Sequence, residues 1–360
     1  GVVPGDVVVL EYWEPARTPA SAFRLHLNRV DCAYKQEGLA EFDFSDALPC
    51  HINVNCPQGS AWQQEKRGVA RILMDFSNGA AWCTGTLIAN SNNTFEPYFL
   101  TAHHCQLILL VPNFSLWRFD FEYEAPTCAQ PATEPARRSV LGCERTAFRA
   151  ESDMLLLKLN PLPNDYSFYF NGWNRSTATT QPHGTFIHHP AGDIKKISVD
   201  SQVLTIQPLQ INWGSFYGIS PPNSHWKVIP DQGVFQPGSS GCPLFDPQKR
   251  IIGQLHGGIT VDQQPCNVIS TFFGRFNQSW DAGTTPGTRL RDWLDPIALN
   301  NVTQNGYTRP VLSTYTISGK ITAPKGIPIP QVRVVLTGPR PDSVLTDSLG
   351  NYSFKNLGAG

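Results

Sequence analysis

The chain has 360 residues carrying 28 basic and 29 acidic side chains, for a formal net charge of −1. That balance excludes a nucleic-acid binder, which neutralises phosphates with a basic surface, and no stretch is apolar and long enough to span a bilayer as a helix. Nine cysteines against two methionines, without any Cys-x-x-Cys pair, argue for disulfides in an exported protein rather than for a zinc ribbon.

Along the chain, the opening Gly1-Val2-Val3-Pro4-Gly5-Asp6 has neither the basic start nor the apolar core of a signal peptide. Strand-like runs follow at 6–12 and 23–30, with too little sequence for a core of their own. Cys83-Thr84-Gly85-Thr86-Leu87-Ile88 and Tyr98-Phe99-Leu100 read as strands, and the second delivers His103, His104 and Cys105 at its end. Ser152-Asp153 runs into Met154 to Leu159, apolar enough for a buried strand, which sets the Asp153 carboxylate at the edge of a core where it needs a partner. Gly238-Ser239-Ser240-Gly241 reads as a sharp turn. A helical stretch is expected near Thr288 to Leu294. Asn300 to Pro310 is polar and reads as a linker, and a new β pattern begins at Thr314.

Taken singly, each of these features is a packing residue, a strand boundary or a loop. Together, His104, Asp153 and Ser240 stand in the order His, Asp, Ser and spell a nucleophilic hydrolase: a serine hydroxyl needs an imidazole to take its proton and a carboxylate to fix that imidazole's tautomer. The N–H groups of Gly238 and Ser240 are the candidate donors to a developing oxyanion. The pair His188-His189 has no carboxylate at ligand spacing, so no metal and no cofactor is expected and the two are read as satisfied or surface histidines.

Thr-Ala-His-His-Cys at 101–105, Ser-Asp at 152–153, Gly-Trp-Asn at 172–174, Ile-His-His-Pro at 187–190, Pro-Gly-Ser-Ser-Gly at 237–241, Gly-Gln-Leu-His-Gly-Gly at 253–258 and Arg-Leu-Arg-Asp-Trp-Leu-Asp-Pro at 289–296 resemble the bacterial lysyl endopeptidases of the chymotrypsin superfamily. The resemblance implies an all-β fold, a chymotrypsin-like double β-barrel with a short C-terminal helix, over residues 49–299. It implies a secreted, monomeric serine endopeptidase acting on proteins or peptides, with His104 and Asp153 from one half and Ser240 from the other. His103 and Ser239 are then neighbours without the catalytic role. His256, Gly257 and Trp213 fall on segments that line the substrate cleft, His256 as a wall residue without proton transfer. The implied disulfides are Cys83–Cys105, Cys56–Cys128 and Cys50–Cys266, leaving Cys32, Cys143 and Cys242. Residues 1–48 would be the tail of a pro-region, 300–311 a linker, and 312–360 the incomplete start of a carboxypeptidase regulatory-like β-sandwich. Cutting between about Lys35 and Cys50 would free the enzyme without a defined new terminus, because Ser239 stands before the nucleophile and carries no charge.

One position departs from the family. Thr271, in Ser270-Thr271-Phe272-Phe273-Gly274-Arg275, stands where the family has the aspartate at the base of the primary pocket. With Phe272 and Phe273 nearby, the pocket is expected to be neutral, with Asp262 as the carboxylate that would compensate, and strong lysine preference is not expected. Two other functions share these motifs: a catalytically silent binding or adhesion module, and an acyl hydrolase with the same triad.

Overall fold

The computed structural model describes residues 44–107, 111–261, 264–311, 314–337 and 342–358. The strand-like runs of the first 43 residues, Cys32 and Asp262 lie outside them.

The first sheet has seven strands in the order Arg138–Leu141, Arg118–Phe121, Val69–Phe76, Gly79–Leu87, Tyr98–Ala102, Met154–Leu159 and Cys143–Arg149, each antiparallel to its neighbours. Alternation decides what each strand buries. Ala70, Ile72, Met74 and Phe76 face the core of this sheet with Phe99, Phe119 and Phe121. Apart from Lys158, which reaches out to Glu96 near its end, Met154–Leu159 is apolar on both faces because it feeds two cores: Leu155, Leu157 and Leu159 join the first, whereas Met154 and Leu156 join a second cluster with Ile187, Ile197, Phe245 and Ile251. That second cluster lies between strands of both sheets, so the unbroken apolar run after Asp153 is what a doubly buried strand requires.

The second sheet runs Ile52–Asn53, Lys196–Asp200, Gly184–His188, Pro243–Phe245, Ile251–Val261, Gln264–Arg275, His225–Val228, Leu204–Ile206 and Thr180–Gln181. Its own core gathers Phe186, Trp226, Val228, Leu244, Leu255 and Phe273. The chain is mostly β, with few helices, as expected.

The helical region differs from the expectation. The stretch at 288–294 is split into a 3-10 turn, Pro286–Thr288, and a single α-turn, Arg291–Leu294, because Arg289 between them is extended at φ −149°. A helix that the sequence reading missed, Phe276–Trp280, stacks Phe276 and Trp280 on Trp173 in the intersheet core.

The segment 300–311 is not a free linker. Thr303–Gln304 pairs with Trp173–Asn174, and Tyr307–Thr308 pairs with Tyr169–Phe170, where the Tyr307 ring stacks on Phe170 at 5.3 Å between centroids. Arg309 is buried over the Phe168 ring. Beyond it, Thr314–Lys320 pairs with Asn351–Gly358 and Arg333–Leu336 with Asp342–Leu345, as two separate ribbons.

Candidate active site

Tyr98–Ala102 ends in a 3-10 segment, His103–Leu107, that carries both histidines. Only one of them turns toward Asp153. His103 stacks on Phe148, 5.1 Å between centroids and 12° from parallel. His104 donates from its backbone N–H to Asp153 Oδ1 and from Nδ1 to Oδ2, both at 2.7 Å. With Nδ1 protonated, Nε2 is the acceptor, and it lies 2.8 Å from Ser240 Oγ. The disulfide Cys83–Cys105 ties the residue after His104 to the neighbouring strand Gly79–Leu87.

Asp153 is buried, and its backbone sits in the left-handed region at φ +54°, a strained conformation of the kind that persists where surrounding structure over-determines it. Its carbonyl accepts the N–H of His103 at 2.9 Å, which locks the bend. Burial pushes its carboxyl upward, but the charges of His104 and His256 and the two hydrogen bonds from His104 outweigh this and hold it down at about 2.

Ser240 lies in the turn before Pro243–Phe245. Gly241 has φ +81°, and a Cβ there would strike Thr101 Oγ1 at 2.2 Å and the Thr84 carbonyl at 2.4 Å, so only glycine lets this turn approach the first sheet. Gly238 at φ +94° passes similarly close to the backbone of Ala191. The N–H groups of Gly238 and Ser240 have no acceptor among the described residues. Ser239 is turned away: its buried Oγ lies 2.7 Å from His188 Nδ1 and 3.2 Å from the Gln236 N–H.

Beside Asp153 and His104 lies a cluster in which the motifs pointed to His256 and Trp213 but not to His225. His256 is buried, with Nδ1 3.7 Å from Asp153 Oδ2 and 3.0 Å from His225 Nε2. Its ring stacks on Trp213 at 3.8 Å and lies parallel to His104 at 5.3 Å. Burial lowers His256 to about 3, only partly opposed by Asp153, and lowers His225 to about 4. With both rings neutral, Ser224 Oγ donates to the Pro221 carbonyl at 2.6 Å and accepts from His225 Nδ1 at 2.7 Å. His225 Nε2 is then the acceptor, and His256 Nδ1 the donor. Trp213 completes the stack, anchored by Nε1 on Ser220 Oγ and lying against Gly257, where a Cβ would meet its ring at 3.0 Å. His225 sits in Ser224-His225-Trp226 with no flanking signal. Only the strand register, His225 opposite Gly274 and Gln254 opposite Gly274, brings it beside His256.

Thr271 is fully buried, its hydroxyl donating to the Val228 carbonyl at 2.9 Å, in register opposite Gly258. Of the two phenylalanines expected beside it, Phe273 is buried in the second-sheet core and Phe272 turns its ring edge to Trp213. The ring against Gly258 belongs instead to Phe235, whose Cζ would lie 2.6 Å from a Cβ there. Thr271, Val228, Gly258, Ser270 and Phe235 are all uncharged.

Among the described residues three disulfides are present, Cys50–Cys266, Cys56–Cys128 and Cys83–Cys105, the pairs that the resemblance implies. Cys143 and Cys242 are buried free thiols. His188 and His189 are both buried rather than at the surface, on Ser239 Oγ and the Asp193 carbonyl. Two groups of potential metal ligands converge here, Cys83/His104/Cys105 and His104/Asp153/His256. The sulfurs of the first are joined to each other, and the facing atoms of the second are engaged in the hydrogen bonds described above. No helix among the described residues is long and apolar enough to cross a membrane.

The sequence family described as lysyl endopeptidase, C-terminal domain, matches residues 44–274, which hold every side chain of this site. The chain belongs to that family. A lysyl endopeptidase of Pseudomonas aeruginosa is 25% identical over 295 residues, covering 77% of this chain and 60% of the relative. The chain thus spans about 60% of the length of the lysyl endopeptidase it matches. Among solved structures, the Rv3671c protease of M. tuberculosis in its active form is 15% identical with a TM-score of 0.41, covering 69% of this chain and 89% of that one. The HtrA-type protease AlgW with a tripeptide is 14% identical with a TM-score of 0.41, covering 60% of this chain and 58% of that one.

Proposed function

We propose that this chain is a secreted serine endopeptidase that hydrolyses peptide bonds of proteins or peptides through an acyl-enzyme at Ser240. The observation that carries the reading is a single imidazole, His104, bonded on one side to Asp153 at 2.7 Å and on the other to Ser240 at 2.8 Å. In this reading Ser240 Oγ attacks the scissile carbonyl as its proton passes to His104 Nε2. Asp153 stabilises the resulting imidazolium, and His104 returns the proton to the leaving amine. The negative oxygen of the tetrahedral intermediate is received by the N–H groups of Gly238 and Ser240, each such donor contributing about 3 kcal/mol in comparable sites. Water then attacks the acyl-enzyme by the same route.

Three disulfides among the described residues support an oxidising, extracellular setting. The neutral surroundings of Thr271 support a primary pocket that accepts uncharged side chains in preference to lysine. Residues 312–360, with their two ribbons, are read as the start of a carboxypeptidase regulatory-like domain, and the residues before Ser45 as the tail of a pro-region, shorter than the expected 1–48 because Ser45, Ala47 and Leu48 bond to Asp193 and Gln236 of the protease fold. The test is to treat the secreted protein with a fluorophosphonate and with a mixed peptide library. Label on Ser240 and cleaved peptides support the reading; a label elsewhere, or no cleavage by protein that binds the label, refutes it.

A further inference from the structure

The turn that carries the candidate oxyanion donors is held from outside by a short segment whose contacts the proposed mechanism does not use. Residues 45–51 run past it and make four hydrogen bonds to two side chains. Ser45 N–H and Ala47 N–H donate to the two oxygens of Asp193 at 3.0 and 3.3 Å, and Leu48 N–H and His51 Nε2 donate to Gln236 Oε1 at 3.1 and 3.2 Å. The last donor is defined because burial lowers His51 to about 3, leaving the ring neutral, and an amide oxygen can only accept. The segment is fixed at its far end by the disulfide Cys50–Cys266.

Both acceptors act directly on the turn. Gln236 is its first residue: its carbonyl accepts the Ser239 N–H at 2.9 Å and its N–H donates to Ser239 Oγ at 3.2 Å, closing residues 236–239 into one loop. Asp193 caps the 3-10 turn Pro190–Gly192, and the Ala191 N–H of that turn donates to the Pro237 carbonyl at 2.6 Å, beside the backbone of Gly238. Asp193 is buried, and its Oδ1 also accepts the Ile194 N–H at 2.7 Å, so its orientation is fixed. Trypsin-type switching by an aspartate directly before the nucleophile is absent, since Ser239 holds that position. Gln236, within the same loop, and Asp193, on the turn bonded to it, are the groups that residues 45–51 hold.

We propose that residues 45–51 form a strap that, through Gln236 and Asp193, positions the Gly238 and Ser240 N–H groups for the oxyanion. Gln236 and Asp193 are positioning residues; neither touches substrate. The proposal rests on the reading of Ser240 as nucleophile. Its physical content is that a slack loop misplaces two donors that matter only in the transition state, so turnover falls while ground-state binding is kept.

The test compares the full chain with Gln236→Met, Gln236→Glu and Asp193→Asn, each quantified by fluorophosphonate titration of active sites. Gln236→Met is expected to lower kcat per titrated site by roughly ten- to a hundredfold with KM within about twofold, the scale of a small misplacement of reacting groups. Gln236→Glu, which keeps an acceptor for Leu48 and His51, is expected to recover most of it, and Asp193→Asn to lower kcat in the same manner. Hydrogen exchange of residues 236–241, read in parallel, should accelerate in Gln236→Met about tenfold or more. Wild-type kcat in both Gln236→Met and Asp193→Asn, or equal impairment in Gln236→Met and Gln236→Glu, overturns the strap. If Gln236→Met does not fold, Asp193→Asn decides alone. Unchanged exchange at 236–241 in Gln236→Met overturns the strap whatever the activity, whereas faster exchange in Gln236→Met together with a wild-type protein that cleaves nothing supports the strap and refutes the endopeptidase.

Discussion

His256, whose ring lies parallel to that of His104 at 5.3 Å, donates a 3.0 Å hydrogen bond to His225, and both rings are buried. Each is pushed below the ordinary histidine value, to about 3 and about 4, chiefly by burial. The folded state therefore binds fewer protons than the unfolded chain between roughly pH 6.5, the unfolded value, and the folded ones. Their contribution is complete above pH 6.5 and is lost as pH falls, at about 1.4 kcal/mol per pH unit for each ring, an upper bound because the unfolded rings titrate gradually. Asp153 adds to the loss only at much lower pH, as the solution falls below the ordinary carboxylate range toward about 2. The melting temperature is accordingly expected to fall between pH 7 and pH 5, less steeply in His256→Phe. A melting temperature constant over that window would contradict the assignment of neutral buried rings.

The triad reading predicts that Ser240→Ala, His104→Ala and Asp153→Asn each reduce turnover by about 10⁴-fold or more, since members of a unit that acts together do not contribute additively. His103→Ala keeps most activity, because that ring stacks on Phe148 instead of facing Asp153. Ser239→Ala leaves the nucleophile in place but strips a buried partner from His188 and from the Gln236 N–H, at a cost of about 1–3 kcal/mol in stability. Steady-state kinetics beside thermal melts separates the two classes; full activity in Ser240→Ala would refute the mechanism.

Reduction of Cys83–Cys105 should lower stability and turnover together. The bridge spans 22 residues, which corresponds to about 3 kcal/mol in the chain-entropy account, and it joins the His104 segment to the strand beside it. Unfolding in denaturant with and without reductant, alongside Cys83→Ala/Cys105→Ala, measures this. A double variant as stable and as active as the parent would show the bridge to be dispensable.

How much of this was legible in the sequence depended on whether a residue's neighbours in the chain are also its neighbours in space. His104 beside Cys105, Asp153 before an apolar run and Ser240 between glycines each carry their structural reason within a few residues. His225 carries none: it meets His256, 31 residues away, only because their two strands flank Gln264–Arg275 and both register on Gly274. Phe276–Trp280 has the helical spacing of buried positions at 276, 279 and 280, but one turn is too short for periodicity to stand out. The polar run 300–311 lacks a hydrophobic pattern because its short strands half-bury Tyr307 on Phe170 and its one buried side chain is Arg309, so composition alone reads it as a linker. At the pocket, Phe272 and Phe273 looked equivalent, whereas the alternation of a strand sends them to opposite faces. Phe235 belongs to a different segment, which no local reading of 270–275 includes.

The proposed preference for uncharged side chains rests on that last arrangement. The Thr271 hydroxyl donates to the Val228 carbonyl and the Phe235 ring lies across Gly258, so none of these groups offers a lysine ammonium a carboxylate. A buried, unpaired ammonium costs several kcal/mol, and at about 1.4 kcal/mol per decade this is a preference of a hundredfold or more for an uncharged side chain. Thr271→Asp should raise cleavage after lysine, at some cost in stability because it removes the Val228 bond and buries a charge. Phe235→Ala should widen the set of side chains accepted without creating lysine preference, since it adds space but no charge. Mass-spectrometric mapping of cleavage sites in a mixed peptide library reads all three proteins at once. Cleavage concentrated after lysine in the unaltered enzyme would defeat the argument and point to a carboxylate reaching the pocket from another loop, with Asp262→Asn as the variant that identifies it.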